Sequence, residues 1–292
     1  MAYFLQQFIN VLQTGSTYSL IALGYTMVYG VLSMINFAHG DIFMVGAFLF
    51  FLFVSTLKLP FVPSMLAATV LTALLGVATE RFAYRPLRGA PKMSAVITAL
   101  GVGVLLEHLT LAINPYPRHI PAMFEGSGTW SAGGVVISQL KAAIIVFSLL
   151  MMALLDFTIN KTKLGMAIRA ISWDMSVVPL MGVSVNGVIA ATFAIGAGLG
   201  GIAGVLYSLA YPVINPYMGV MVGWKAFISA VIGGIGNVRG AIVGGYVLGL
   251  VETLTIVFLP ATYRDVTAFS LLLILLVYRP YGLMGKPKTF KV

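Results

Sequence analysis

The 292-residue chain is 60% hydrophobic and 9% charged, with a mean hydropathy of +1.01. A soluble domain carries about 25% charged residues, so this composition excludes a water-soluble globular protein. The formal net charge of +9 comes from basic residues in short clusters between apolar runs, which favours membrane orientation over nucleic-acid binding. No cysteine is present, which excludes disulfides, thiolate metal sites and a cysteine nucleophile.

Residues 1–7 carry no basic side chain, so we expect the first apolar run to be a retained span and not a signal peptide. Lipid admits only helices or closed barrels, and strand-like alternation is absent. The predicted fold class is all-α: one transmembrane helical bundle over residues 1–292 with about 8–9 spans. Since a span needs about 20 apolar residues, the predicted spans are 8–31, 37–57, 61–80, 93–113, 136–157, 188–210, a short 225–235 (a full pass, a half-helix or a re-entrant segment), 241–259 and 266–278.

Three basic clusters predict the orientation, because cytoplasmic loops are enriched in lysine and arginine. Three spans precede the first cluster, two separate the first from the second, and four separate the second from the tail. Nine passes then place the N-terminus outside and the C-terminus in the cytoplasm. The clusters are Arg81, Arg85, Arg88 and Lys92; Lys161, Lys163 and Arg169; and Arg279, Lys286, Lys288 and Lys291.

Proline and glycine mark the connections between spans. The segment 114–135 is rich in both and is predicted to be an external loop, whose Tyr116, Phe124 and Trp130 either anchor at the membrane interface or touch an outside partner. The glycine-rich run 234–240 lacks phosphate-loop spacing and is predicted to be a tight turn. Small residues four apart predict close helix packing at Gly196, Gly200 and Gly204 and at Ala241, Gly245 and Gly249.

Ionisable groups inside apolar spans are expensive and indicate functional positions. The polar break at 36–41 is either a helix cap at the inner surface or part of a water-filled path. Glu107 and His108 are expected to reach the outer interface, and Glu252 needs a partner, for which Lys225 is available. We expect no catalytic or metal site, since the histidines are scattered. The candidate translocation-path residues are Asn36, His39, Gly40, Asp41 and Glu252.

The segment 158–187 is the longest internal connection and predicts two short amphipathic helices at the membrane surface. Asp174 or Ser176 is expected to cap the second helix, and with Ser176 as the cap Pro179 falls in its first turn. The apolar residues of this segment have two uses: they lie against lipid or seat in a groove on a cytoplasmic partner. They are Met166, Ile168, Ile171, Trp173 and Leu180.

Four ordered segments, at 15–30, 35–41, 165–182 and 213–236, give the chain a family resemblance. They read GSTYSLIALGYTMVYG, INFAHGD, GMAIRA with Asp174 and LMG, and VINPY through KAF to GGIG. Together they resemble the inner-membrane permease subunits of bacterial ABC importers for branched-chain amino acids, the LivH-type permeases. The match runs nearly end to end. It departs from the usual pattern at Trp173 and Pro179, which puts in question which ATPase the chain accepts.

The resemblance implies a multi-pass protein of the bacterial inner membrane that moves branched-chain or other hydrophobic amino acids. It implies a second related permease subunit, two cytoplasmic ATPase subunits that bind the ATP, and a substrate-binding protein outside; this chain itself carries no cofactor. Urea, short amides or other amino acids remain alternative substrates, and an ion-coupled secondary carrier remains an alternative class. By resemblance, the ATPase-coupling segment includes Gly165, Arg169, Ala170, Asp174, Leu180 and Gly182.

Overall fold

The computed structural model describes residues 2–121, 128–132 and 134–285. Phe124 and the tail lysines Lys286, Lys288 and Lys291 lie outside these ranges. The described residues form ten α-helices and four short strands. They are α1 Ala2–Leu32, α2 His39–Phe51, α3 Phe61–Thr79, α4 Lys92–Ile113, β1 Arg118–His119, β2 Thr129–Ala132, β3 Val135–Ser138, α5 Gln139–Lys161, α6 Lys163–Trp173, α7 Val185–Ala210, β4 Val213–Ile214, α8 Met218–Gly233, α9 Val238–Phe258 and α10 Arg264–Tyr278.

Seven helical segments within the described ranges are long and apolar enough to cross a membrane. Two predicted spans fall outside this set for different reasons. Helix α8 has 16 residues, about 24 Å at 1.5 Å per residue, which is shorter than the hydrocarbon core. Helix α1 has 31 residues, but its glycine, hydroxyl and amide residues lower its mean hydropathy, and many of them are buried against protein. The seven are His39–Thr56, Phe61–Leu87, Met93–Ile113, Gln139–Lys161, Val185–Ala210, Val238–Phe258 and Ala261–Tyr278.

Hydrogen bonds and an ion pair join different connections to one another at each of the two ends of the bundle. At the basic end, Arg239 binds Asp156 at 3.0 Å, and Asn237 Nδ2 donates to the Met284 carbonyl at 2.9 Å. At the opposite end, Lys141 Nζ donates to Asn10 Oδ1 at 2.9 Å. Gly30 near the end of α1 packs against Gly236, and Tyr84 after α3 donates to Asn36 after α1. The turns after α1, α3, α5, α8 and α10 therefore share the basic end, and the N-terminal part of α1 lies at the other.

Helix α1 occupies the centre, packed by α7, α8 and α9. The predicted small-residue contacts are confirmed: a Cβ atom on Gly249 would lie 2.7 Å from the Gly15 backbone nitrogen, and one on Gly245 would lie 2.5 Å from that of Ser19. Because lipid offers no hydrophobic drive between helices, such close backbone contact supplies the packing energy. The glycine-rich turn between α8 and α9 is also confirmed, with positive φ at Gly234 and Gly236.

The connection predicted to be external, between α4 and α5, has more structure than the sequence suggested. Strands β1 and β4 pair antiparallel with Arg118 opposite Ile214, and β2 and β3 form a hairpin with Thr129 opposite Ser138. The span predicted at 136–157 was wrong at its start, because Val135–Ser138 forms β3 and Ser138 caps α5, accepting from Lys141 N at 3.1 Å. β-Branched residues in β3 favour the strand.

The connection predicted to be internal, between α5 and α7, forms one helix, α6, and a single 3₁₀ turn, Val178–Met181, where two helices were predicted. The cap expected from Ser176 is wrong. Asp174 Oδ1 accepts hydrogen bonds from the Ser176 backbone nitrogen at 2.8 Å and from the Ser176 hydroxyl at 2.6 Å. The Ser176 hydroxyl is therefore a donor to Asp174 and does not cap the 3₁₀ turn. These bonds to the charged form hold the pKa of Asp174 below its ordinary value. Pro179 does lie in the first turn of the 3₁₀ segment.

Candidate functional site

The break between α1 and α2 turns the chain back into the bundle. The ring of His39 packs against Gly24, which precedes the last residue of α1, Leu32, by eight positions. At 1.5 Å per residue, α2 therefore begins about 12 Å inside the basic end of α1. His39 also lies edge-on to Tyr25 with ring centroids 4.8 Å apart. The break is thus a helix start within the bundle and not a cap at its surface.

Asn36 is held inside this break by a side chain from the connection after α3. Tyr84 Oη donates to Asn36 Oδ1 at 2.9 Å, and both residues are buried. Tyr84 also packs on Phe193 of α7, with ring centroids 5.2 Å apart. Asn36 therefore joins three parts of the basic end and is a structural joint.

Asp41 lies in the first turn of α2 and is 6% exposed. Its carboxylate sits between two glycines of neighbouring helices. A Cβ atom on Gly103 of α4 would lie 2.5 Å from Oδ2, and one on Gly219 of α8 would lie 2.7 Å from Oδ1. The N-cap position of α2 is Ala38, so neither Asn36 nor Asp41 occupies it. Both glycines leave room for the charged group.

Asp41 lines a cavity of about 210 Å³ between α2, α4 and α8, which we call the acidic cavity. Glu107 lines the same cavity, although the sequence predicted that it would reach the outer interface with His108. Sequence spacing could not show this, because it depends on how α4 packs against α2. The lining is Tyr25, Phe37, Asp41, Leu100, Gly103, Val104, Glu107, Gly219, Val220, Gly223 and Trp224.

Glu252 lies in a separate cluster near the opposite end. Its side chain is fully buried. Oε2 accepts from Tyr18 Oη at 2.9 Å and from Arg264 Nη2 at 2.7 Å, and Oε1 forms an ion pair with Lys225 Nζ at 2.9 Å. Lys225 also binds Asp265 at 2.8 Å. The structure therefore pairs Lys225 with Glu252, and it does not bring Glu252 into the acidic cavity.

A third buried carboxylate, that of Glu80, was missed by sequence reasoning. Glu80 is fully buried in a π-helical turn, Glu80–Tyr84, and accepts from Arg85 Nη2 at 2.9 Å and from Arg88. Arg88 also donates to Asn186 at the start of α7. Arg85 and Arg88 were assigned to a solvated loop because of their charge. One sequence signal could have indicated this pair: Glu80 stands five positions before Arg85 at the end of a predicted span.

The start of α6 is bonded and packed against the end of α5. Thr162 caps α6 by accepting from Gly165 N at 3.2 Å, and Arg169 Nη1 donates to the Ile159 carbonyl. A Cβ atom on Gly165 would lie 2.5 Å from the Thr158 carbonyl oxygen, so only glycine fits there. Basic groups favour such C-terminal carbonyls.

The outward face of this segment is apolar. Trp173 is 92% exposed and Leu180 is 85% exposed, whereas Ile168, Ile171 and Val178 are buried. Gly182 ends the 3₁₀ turn in the left-handed region at φ 74°. Ala170 is half-buried and Asp174 exposed. The segment thus presents large apolar side chains away from the bundle.

The sequence matches, over residues 7–278, the family described as the permease component of branched-chain amino acid transport systems. It is 41% identical to the high-affinity branched-chain amino acid transport system permease protein BraD of Pseudomonas aeruginosa, over 99% of this chain and 98% of that protein. It is 39% identical to LivH of Escherichia coli K12 and 38% identical to LivH of Salmonella typhimurium, each over 99% of this chain and 98% of the relative. Both are high-affinity branched-chain amino acid transport system permease proteins.

Proposed function

Since the chain belongs to the family of permease components of branched-chain amino acid transport systems, we propose that it is one permease subunit of an ATP-driven importer for branched-chain or other hydrophobic amino acids. The near-full-length identity to BraD and LivH carries this proposal. The chain is a membrane transport subunit and not an enzyme. Its proposed partners are a second related permease, two cytoplasmic ATPase subunits and an external substrate-binding protein.

The proposed topology has nine passes, with the N-terminus outside and the basic end in the cytoplasm. Arg81, Arg85 and Arg88, together with Lys161 and Lys163, lie at that end, as the positive-inside rule requires. Helix α1, about 46 Å long, passes through the centre, and α8 passes as a short helix sheltered by protein. Reporter fusions at both termini test this: a cytoplasmic N-terminal reporter contradicts it.

The translocation path is proposed to run beside the start of α2. Irregular backbone at membrane depth is tolerated where it lines a cavity, and carboxylates there mark substrate pathways. His39, Gly40 and Asp41 lie at this start, while Asn36 holds it to the connection after α3. Glu252 keeps α8, α9 and α10 in register beside the path. ATP-driven closure of the ATPase subunits is proposed to alternate the path between outward-open and inward-open states.

The coupling segment is proposed to seat its exposed Trp173, Leu180 and Met181 in a groove of an ATPase subunit. Gly165 and Arg169 fasten this surface to α5, so they transmit motion without touching the partner. Replacing Gly165 or Arg169 with Asp is expected to uncouple ATP hydrolysis from uptake. Leu180→Ser is expected to do the same, whereas Phe82→Ser, which is exposed near the same end, serves as the control.

Reconstitution of the complete importer in vesicles tests the proposal. We expect leucine uptake that requires both ATP and the binding protein and that persists when ion gradients are collapsed. Uptake that survives without ATP but stops with the ion gradient would establish the secondary carrier instead. Competition by isoleucine and valine, and no competition by urea or short amides, would fix the substrate class.

A further inference from the structure

The lining of the acidic cavity carries negative charge. The described residues that line it include two carboxylates, Asp41 and Glu107, and no basic side chain. Its rim is open, because Leu100, Val104 and Val220 are exposed on the surface of the bundle. A net negative cavity at membrane depth is costly unless a cation occupies it. The lining therefore selects for a positively charged ligand.

The Asp41 carboxylate is ready to receive such a ligand. Oδ1 is buried and has no hydrogen-bond partner among the described residues. A buried acceptor of this kind loses the hydration it would have in water, so a donor that reaches it gains a charge-assisted bond. Gly103 and Gly219 pack directly against the two oxygens and so accommodate the carboxylate at the cavity wall. The unpartnered buried oxygen and the adjoining cavity of about 210 Å³ are the two observations that point to a ligand.

The remaining walls fit an ammonium group attached to an apolar body. Trp224 and Phe37 pack at 5.5 Å between ring centroids, and Tyr25 lies on the same wall. Aromatic faces attract ammonium groups, tryptophan most strongly. Leu100, Val104 and Val220 offer apolar contact near the rim. A bare inorganic cation would make no use of these aromatic and aliphatic walls.

We propose that the acidic cavity is a station on the transport path that binds the α-ammonium group of the amino acid, with Asp41 as its direct partner and Glu107 as the second carboxylate. This inference rests on the proposed function and adds a binding site to it. The cavity would take cationic branched amines and reject branched carboxylates that lack the amine.

The first experiment measures ligand protection within the intact importer, reconstituted in phosphatidylglycerol vesicles that contain no lipid amine. A hydrophobic carbodiimide modifies membrane-buried carboxyl groups, and mass spectrometry locates the adducts. At an isoamylamine concentration about ten times its Kd, we expect modification at Asp41 to fall by about tenfold, because occupancy lowers the free site by the factor 1 + [L]/Kd. Glu252 is the internal control, since its partners are present with or without ligand.

Several outcomes overturn the proposal. Equal protection by isoamylamine and 4-methylpentanoate would show that the cavity does not recognise the amine. Protection by sodium chloride alone would assign it to an inorganic cation. Protection in phosphatidylethanolamine vesicles without added amine would assign it to a lipid headgroup, and loss of the permease pair in Asp41→Asn would assign it to a basic side chain of the second subunit.

The second experiment measures leucine uptake per ATP hydrolysed in Asp41→Asn, Asp41→Glu and Glu107→Gln. We expect Asp41→Asn to lower the ratio by about tenfold or more while ATP hydrolysis stimulated by the binding protein persists, and Asp41→Glu to restore part of it. Wild-type ratios in both Asp41→Asn and Glu107→Gln would refute the ammonium site. Failure of wild-type importer to use ATP would refute the proposed function instead, so the two failures are distinguishable.

Discussion

The clusters around Glu252 and Asp41 place a buried carboxylate in the same bundle under opposite conditions. Glu252 accepts from Tyr18 and lies within 3 Å of groups on Lys225 and Arg264, so the fold compensates its charge. Asp41 faces glycines and a cavity whose lining, among the residues that the structure describes, includes no basic side chain. The first arrangement joins three helices, and the second leaves a carboxylate oxygen without a partner among the described residues. Burial of an acidic residue alone therefore does not show whether its charge is compensated; its partners do.

The largest effect should follow Glu252→Gln. The substitution leaves Lys225 and Arg264 without their shared carboxylate, and breaking a buried pair costs about 3 kcal/mol or more. We expect a large drop in the melting temperature of the purified protein in detergent, with tyrosine and helix signals lost together. Unchanged melting would show that the cluster contributes no stability and would remove the contrast with Asp41.

Gly103→Ala should give the next largest effect. The new methyl group would lie 2.5 Å from Asp41 Oδ2, and overpacking of this kind costs about 1–3 kcal/mol. Leucine uptake should fall with it, because the carboxylate must move. Gly101→Ala on the same helix is the matched control, since no atom lies within 4 Å of its added Cβ. Equal uptake in the two variants would contradict the glycine cradle.

Asp41→Asn should change stability in the opposite direction from Glu252→Gln. Removing an uncompensated charge from the bundle relieves a desolvation cost, and we expect the protein to be unaffected or stabilised by about 1 kcal/mol. The melting temperature in detergent, without ligand, measures this. A loss as large as that of Glu252→Gln would mean that Asp41 has a structural partner within the fold.

The smallest effect should come from Asp265→Asn. Asp265 is the second partner of Lys225 but is 41% exposed, so solvent already screens it. An exposed ion pair contributes about 0.5 kcal/mol, and Lys225 keeps Glu252 after the change. The melting temperature should move by little more than its error. A shift comparable with that of Glu252→Gln would show that the cluster acts as one unit.

Features set by local composition could be predicted from the sequence. Apolar length and helix breakers located the membrane helices, and the shortness of the segment that became α8 was visible. The four-residue spacing at Gly245 and Gly249 predicted close packing, because helix geometry alone puts those positions on one face. The Lys225–Glu252 pair could be predicted because each charged residue is isolated in an apolar run.

Features set by the packing of distant segments could not be predicted. Glu107 looked like an interfacial residue because its depth along α4 was known but its neighbours on α2 were not. Glu80 looked like the end of a span, since its arginine partners also fit the basic-loop pattern. The expected Ser176 cap failed because Asp174, two residues earlier, competes for the same hydroxyl.

The joint between α5 and α6 has a mechanical consequence. Gly165 packs against the last turn of α5 and Arg169 donates to the Ile159 carbonyl, so the end of α5 and the start of α6 form one joint. If the coupling segment seats in an ATPase subunit, as proposed, a displacement at Trp173 would move α5 through this joint. Both α5 and α6 pack against α1, the helix whose Gly24 contacts His39.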